Sequence, residues 1–418
     1  MSLASLLSDF SDHLQSEQFR LGARHQDHPT AFQRRRKLPL PSLVALMLTG
    51  MRKSVQTELD EFFGHLEQQA QLARQVSAQA FAQARSKLAT TAIPELNDWL
   101  IEQAQQRGYL QRWQGFRLVA ADASTVRFGL RASHVKRAAL ADQLVFGLFL
   151  PGAELMLSVS LYSTDVGERQ MLFEQLDRLG KDDLLLLDRG YPCYWMPAVL
   201  NQRRIAFCMR VEQARGGGFP CVNQFLKSGL QEQIVTLRAP DRRDALDYEC
   251  PAEPQTVRLI RHVASTGKVR VLMTNLLDVA QFPVALFGDL YHQRWRIEEA
   301  FKRLKHRLHL EHVTGLSQQA LMQDLAAKVL CDNLQALASC VAGQQYALPP
   351  DRRINHTYAH SVLKPLLPSL LLGLAAAHLL TDALALIAKR TFKHRPGQSK
   401  SRQTNAYKPH KYMAYKAA

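Results

Sequence analysis

The sequence predicts a mixed α/β protein: a helical amino-terminal region, a core of strands and helices interrupted by a β-rich stretch, and a helical, basic carboxy-terminal region. Three observations carry that expectation. Short apolar runs bounded by glycine and charged turns recur between Phe116 and Asn275 and have the length of strands. Helical patterns lie before and after them. A chain of 418 residues, 46% of them hydrophobic, can bury real cores and allows two or three domains. The divisions are residues 1–105, 106–196, 197–285, 286–330 and 331–418.

Within 1–105, Arg34-Arg-Arg-Lys37 forms a basic arm that runs into the stiff turn Leu38-Pro-Leu-Pro41. Helical patterns follow over about 42–52 and 55–72. Ser77 then offers an N-cap to a further helix. On it, Phe81, Ala84 and Leu88 share a face, while Gln79, Gln83 and Ser86 lie opposite. That layout suits a recognition helix in a major groove, where glutamine can read adenine, and suits an ordinary packed helix with a polar outside equally well.

Residues 113–195 read as strand, hairpin, helix, strand. Phe116-Arg-Leu-Val-Ala-Ala-Asp122 is a buried strand with a carboxylate near its end. Gln143–Leu150 and Leu155–Tyr162 flank the turn Pro151-Gly-Ala-Glu154, and Gly167–Leu179 is a helix. Leu184-Leu-Leu-Leu-Asp188-Arg-Gly-Tyr191 is a second buried strand closed by an aspartate and a glycine turn. Alternating runs at 205–211, 233–238, 256–263 and 268–275, with Gly216–Gly218 among the turns between them, make the β-rich stretch. Arg210, Arg258, Arg261 and Arg270 make it basic, and Arg210, set in an apolar run, is a candidate phosphate contact.

The stretch from Tyr291 to Lys305 has no proline or glycine and favours helix. In one continuous helix, Tyr291, Arg294, Glu298 and Lys305 fall within an arc of roughly 60°. Ile297, Phe301, Leu304 and Leu308 form an apolar stripe beside it. Alone, this is an amphipathic surface helix with solvated ion pairs. The two aspartates change that reading, because an aspartate closing an apolar strand is costly unless something pairs with it. Asp122, Asp188 and Glu298 are therefore expected to converge on divalent metal.

The spacing of Tyr291, Arg294, Glu298 and Lys305 resembles the Tyr-Arg-Glu-Lys signature of the insertion-sequence-four family of DDE transposases. Asp188-Arg-Gly-Tyr191 resembles that family's second aspartate motif and Asp122-Ala-Ser-Thr125 its first. The likeness spans about residues 30–315. It implies an RNase H-like catalytic core with Asp122 and Asp188 on neighbouring strands, interrupted by the β-rich insertion. It implies metal-dependent DNA strand cleavage and strand transfer at terminal inverted repeats, as in cut-and-paste transposition of a bacterial insertion sequence. Asp122, Asp188 and Glu298 would hold two Mg²⁺ or Mn²⁺ ions, which hard oxygen ligands suit. Arg294 and Lys305 would hold phosphates, and Tyr291 would sit near an extruded base at a hairpin intermediate. A homodimer on double-stranded DNA, in the bacterial cytoplasm and associated with the nucleoid, is the expected assembly. A metal-dependent nuclease without strand transfer and a non-catalytic DNA-binding descendant are the alternatives.

Composition agrees. The net charge of +16 and pI near 9.7 point to a polyanionic partner. From Lys389 to Ala418 there are nine Lys or Arg and no Asp or Glu, with Tyr407, Tyr412 and Tyr415 interleaved: a mobile tail that orders on DNA, or one that only aids solubility. The six cysteines show no CxxC spacing and are read as reduced. His292, His306, His309 and His312 cluster in sequence, the last three at His-x2-His, zinc-like spacing, but no Cys or HExxH arrangement supports zinc. The start of the chain does not resemble a signal peptide. Leu366–Ala388 is apolar but broken by Pro368, His378 and Asp382, so a buried helix or helix pair is expected rather than a membrane span.

Overall fold

The structure, a computed structural model, describes residues 2–34, 36–67, 71–128, 139–140, 142–212, 218–264 and 267–393. Arg35, Gly216 and Gly217, and the basic tail from residue 394 onward lie outside the described residues.

Six helices come first: α1 (Leu3–Gln15), α2 (Glu17–Gly22), α3 (Leu40–Met47), α4 (Val55–Leu66), α5 (Ala78–Arg85) and α6 (Ala92–Gln106). Ser2, Ser16, Ser54 and Ser77 cap α1, α2, α4 and α5 by accepting from the backbone N–H three residues on. After β1 (Arg112–Trp113) come β2 (Phe116–Arg127), β3 (Asp142–Leu150) and β4 (Leu155–Tyr162), then α7 (Glu168–Gln175), a 3₁₀ turn (Leu176–Arg178) and β5 (Asp183–Leu187). The chain continues through α8 (Trp195–Gln202), β6 (Ala206–Val211), α9 (Pro220–Ser228), β7 (Glu232–Leu237), α10 (Arg242–Asp247), β8 (Gln255–Val263) and β9 (Val269–Thr274). Helices α11 (Leu286–His292), α12 (Trp295–His306) and α13 (Gln318–Gln345) follow. The end holds β10 (Arg352–Ile354), α14 (His356–Leu363), α15 (Leu367–Leu371), α16 (Ala377–Lys389) and β11 (Thr391–Lys393).

One sheet organises the molecule. Its order is β4-β3-β2-β5-β6-β9-β8-β7, with β1 hydrogen-bonded to β2. Strands β2, β5 and β6 run parallel, and the pairs on either side of them are antiparallel. The strands of 197–285 thus continue the central sheet rather than interrupt it: β6 joins β5 directly, and β9, β8 and β7 extend the same surface. Parallel β5 is buried along its length, as its unbroken leucine run requires.

Helix α12 lies over β2 and β3. A glycine makes the close approach possible. Gly147 in β3 pairs with Asp122, and a Cβ there would meet Phe301 Cζ at 3.0 Å and Met156 Sδ at 3.1 Å. The long helix α13 packs on β4 and α6. Its Asn333 accepts from the Met156 N–H at 2.7 Å and donates to Asn97 Oδ1 at 2.6 Å, tying the edge strand β4 to both helices. Among the described residues α13 alone is long and apolar enough to cross a membrane, and 89% of its apolar window is buried inside the protein. Leu366–Ala388 forms the short pair α15 and α16 instead.

The single helix expected over 291–305 is two. Helix α11 ends at His292 and α12 begins at Trp295. Between them the N–H groups of Gln293, Arg294, Arg296 and Ile297 reach carbonyls three residues back, at 3.1–3.3 Å. This tightening changes the angular spacing across the junction. Burial drives it: Phe287, Leu290 and Tyr291 pack inward from α11, and Ile297, Phe301 and Leu304 from α12.

Candidate active site

The parallel register sets the two aspartates level. Ala120 is opposite Leu186, and two residues further along each chain come Asp122 and Asp188. Asp188 stands just past the end of β5, where its Oδ1 accepts from the Gly190 N–H at 2.7 Å. Arg169 of α7 pins this turn from outside, donating to Gly190 O at 2.9 Å and Pro192 O at 3.0 Å.

Glu298 comes from the first turn of α12 and is 19% exposed. Its Oε1 accepts from Arg294 Nη2 at 2.9 Å. Arg294, 5% exposed, lies over the rings of Trp295 and Tyr291, and its Nε finds no acceptor among the described residues. Burial pushes the Asp122 carboxyl up to about 7; Arg294 opposes this, while Glu168, Glu298 and Asp188 add to it. One guanidinium therefore serves several carboxylates. Among the described residues no three His, Cys, Asp or Glu side chains are placed to hold a metal ion as they stand.

Lys305, expected to hold phosphate, and Tyr291, expected near an extruded base, both have partners within the protein. Lys305 Nζ donates to Ser124 Oγ at 2.6 Å and Thr125 O at 2.5 Å, fastening α12 to the strand of Asp122. Tyr291 is 3% exposed, on α11, with its phenol pushed by burial to about 12. The exposed aromatic beside Arg294 is Trp295, at 45%. Arg210 is ion-paired with Glu212 at 2.8 Å, and Arg189 meets the same carboxylate at 3.1 Å. Two of the arginines read as making the β-rich stretch basic are structural. Arg258 is fully buried against Glu232, Leu276 O and Phe282 O. Arg261 caps carbonyls of Phe225 and Leu226 and bonds Leu230 O.

Gln79 and Gln83 are exposed on α5. Gln83 lines a cleft of about 870 Å³ with His28, Arg34, Arg36, Lys37 and Lys87. Arg34, Arg36 and Lys37 of the basic arm and the candidate recognition helix thus share one groove, separate from the carboxylates. Arg85 anchors α5 from behind through Asp324 at 2.9 Å.

Glu168 was not singled out from the sequence. Strand direction could have found it: β4 runs parallel to β2, so the helix that follows begins at the same end of the sheet as Asp122 and Asp188.

Residues 113–334 match the family model for the transposase DDE domain. The chain belongs to the DDE transposase family. Among relatives of this transposase is the transposase InsG for insertion sequence element IS4 of Escherichia coli (strain K12), 25% identical over 350 residues, 80% of this chain and 76% of the relative. That relative and the motif spacing place the transposase with the insertion-sequence-four members. A piggyBac transposase synaptic complex with hairpin DNA, solved by cryo-EM, shows 10% identity and a TM-score of 0.39 over 95% of this chain and 84% of that one. A likeness that slight carries no argument here.

Proposed function

We propose that this transposase cuts and joins DNA strands at the terminal inverted repeats of its element, using divalent cations held by Asp122, Asp188 and Glu298. The observation that carries the reading is the level register of β2 and β5, which brings Asp122 and Asp188 to the same end of the sheet, under the helix that carries Glu298; burial pushes Asp122 up to about 7 there, against Arg294 and with the charges of Glu168, Glu298 and Asp188 adding to it. The donor set is all hard oxygen, which suits Mg²⁺ or Mn²⁺, two per site. Such ions supply Lewis-acid activation of the attacking hydroxyl and stabilisation of the leaving oxygen. The chain's own residues do the rest. Arg294 holds Glu298, the carboxylate that would join Asp122 and Asp188 in holding a cation. Lys305 fixes the height of α12 against β2, so that the glutamate and Asp122 stay in register. The groove between α5 and the arm at 34–37 binds the element end, with Gln79 and Gln83 reading bases and the cations meeting phosphate. Arg210 and Arg189 lie at the margin of the site, where an incoming phosphate competes with Glu212. The reaction is cut-and-paste with a hairpin intermediate, performed by a homodimer assembled on DNA in the bacterial cytoplasm. Trp295, exposed beside Arg294, stacks on the extruded base, and the buried Tyr291 expected there forms the floor beneath Arg294.

The test uses DNA carrying the sequences that flank the reading frame. Asp188→Asn should bind this DNA as the parent does and give no Mg²⁺-dependent nicks. Joining of the freed 3′-hydroxyl to a second duplex separates a transposase from a nuclease. Unchanged nicking by the variant would sink the metal assignment.

A further inference from the structure

Glu168 opens α7, and its placement goes beyond the three expected carboxylates. A Cβ built on Gly190 would stand 3.1 Å from Asp188 Oδ1 and 3.5 Å from Glu168 Oε2, so both oxygens lie over the same glycine. Arg169, the next residue, ties the start of α7 to the 190–192 turn and fixes that approach. Glu168 is open to solvent, yet partial burial and then the charge of Asp188 raise its carboxyl, and its own charge acts on Asp122 and Tyr191. An acid in the first turn of a helix is ordinarily accounted for by the helix dipole. Convergence on a second carboxylate is not, since like charges repel.

An independent observation points to a ligand. Tyr191 is 0% exposed, and its hydroxyl has no hydrogen-bond partner among the described residues. The charges acting on that phenol are those of Glu168, Asp122, Asp188 and Arg294. A buried donor left unsatisfied is costly unless something bound later supplies the partner.

We propose that Glu168 is a fourth carboxylate of the cation site and that Tyr191 is the buried donor that orients its oxygens once a divalent cation is bound. The proposal rests on the metal-dependent reading above. Gly190 is then the residue that keeps the space between Asp188 and Glu168 open.

The test is calorimetric titration of the full-length protein with Mn²⁺, without DNA, beside thermal unfolding in chelator. Asp188→Asn should weaken Mn²⁺ binding and establish the site. Glu168→Gln should weaken it at least about tenfold, with the unfolding temperature in chelator held or raised, and Glu168→Asp should recover part of the loss. Tyr191→Phe should weaken Mn²⁺ binding less, and should not destabilise the metal-free protein. Parent-like Mn²⁺ affinity in Glu168→Gln, with Asp188→Asn impaired, would overturn this inference and leave the proposed function standing. Parent-like affinity in both would overturn the proposed function along with it. A Glu168→Gln protein that loses affinity only in step with its unfolding temperature in chelator would reduce Glu168 to a structural role and also overturn the inference.

Discussion

The two ends of α12 carry ion pairs of opposite kinds. At its start Arg294 faces Glu298, with Asp122, Asp188 and Glu168 near by, and its Nε finds no acceptor among the described residues. Toward its end Arg303 is bracketed by Glu154, at 2.6 Å, and Asp332, at 3.2 Å, and Arg296 reaches down from the first turn of the same helix to the same Glu154. Burial alone would raise the Glu154 carboxyl, but Arg303 and Arg296 hold it below the usual carboxylate range. Burial raises Asp122 as well, and there the neighbours do not win. One helix therefore has a matched end that anchors it and an unmatched end with charge left over for a ligand.

The sharpest way to break this comparison is to exchange the behaviours of the two ends. Glu298→Gln should abolish Mg²⁺-dependent nicking while changing unfolding free energy by no more than about 1 kcal/mol, since the amide still accepts from Arg294. Denaturant unfolding and a nicking assay on the same preparation check both halves, and a large loss of stability would show the start of α12 to be structural too. Arg303→Ala should do the reverse. It strands Asp332 in a buried site and leaves Glu154 with Arg296 alone, at a cost of about 3 kcal/mol, and whatever protein stays folded should still bind Mn²⁺. Intact stability in Arg303→Ala would erase the contrast.

The smallest effect concerns pH. Burial, and then Arg303, push His356 down to about 4 from its ordinary 6.5. Its folded pKa is depressed, so the unfolded chain takes up the proton first. Stability should be full above pH 6.5 and fall below it, by on the order of 1–2 kcal/mol at pH 5. The Glu154 contribution should persist until pH drops below about 4.5. His356→Gln should flatten the pH 5–7 limb, and a slope identical to that of the parent would remove His356 from the account.

Much of this was legible in the sequence because burial and chemistry coincide there. A leucine run ending in Asp188 can hardly be anything but an interior strand meeting a polar site. The four alternating runs between 205 and 275 mark their strands to within a residue or two. The junction between α11 and α12 was not legible: no proline or glycine signals it, and only the tertiary demand to bury Tyr291 together with Ile297 and Phe301 breaks the helix. Intramolecular partners were hidden for the same reason. Lys305 and Ser124, or Arg258 and Glu232, are joined across sequence distances that no local pattern records. Glu168 needed strand direction, which follows from topology rather than from any motif.

Gly147 and Phe301 form a notch and a peg. The notch lies across the ladder from Asp122, and the peg stands one helical turn beyond Glu298. The spacing between strand and helix carboxylates is therefore gauged by shape, through the absence of one methyl group, before any charge is considered. Such a gauge resists sliding along the helix axis and does not itself hold the Glu298 side chain, which Arg294 holds instead. A side chain gauged this way can leave Arg294 for another partner by turning about its own bonds, with the backbone of α12 standing still.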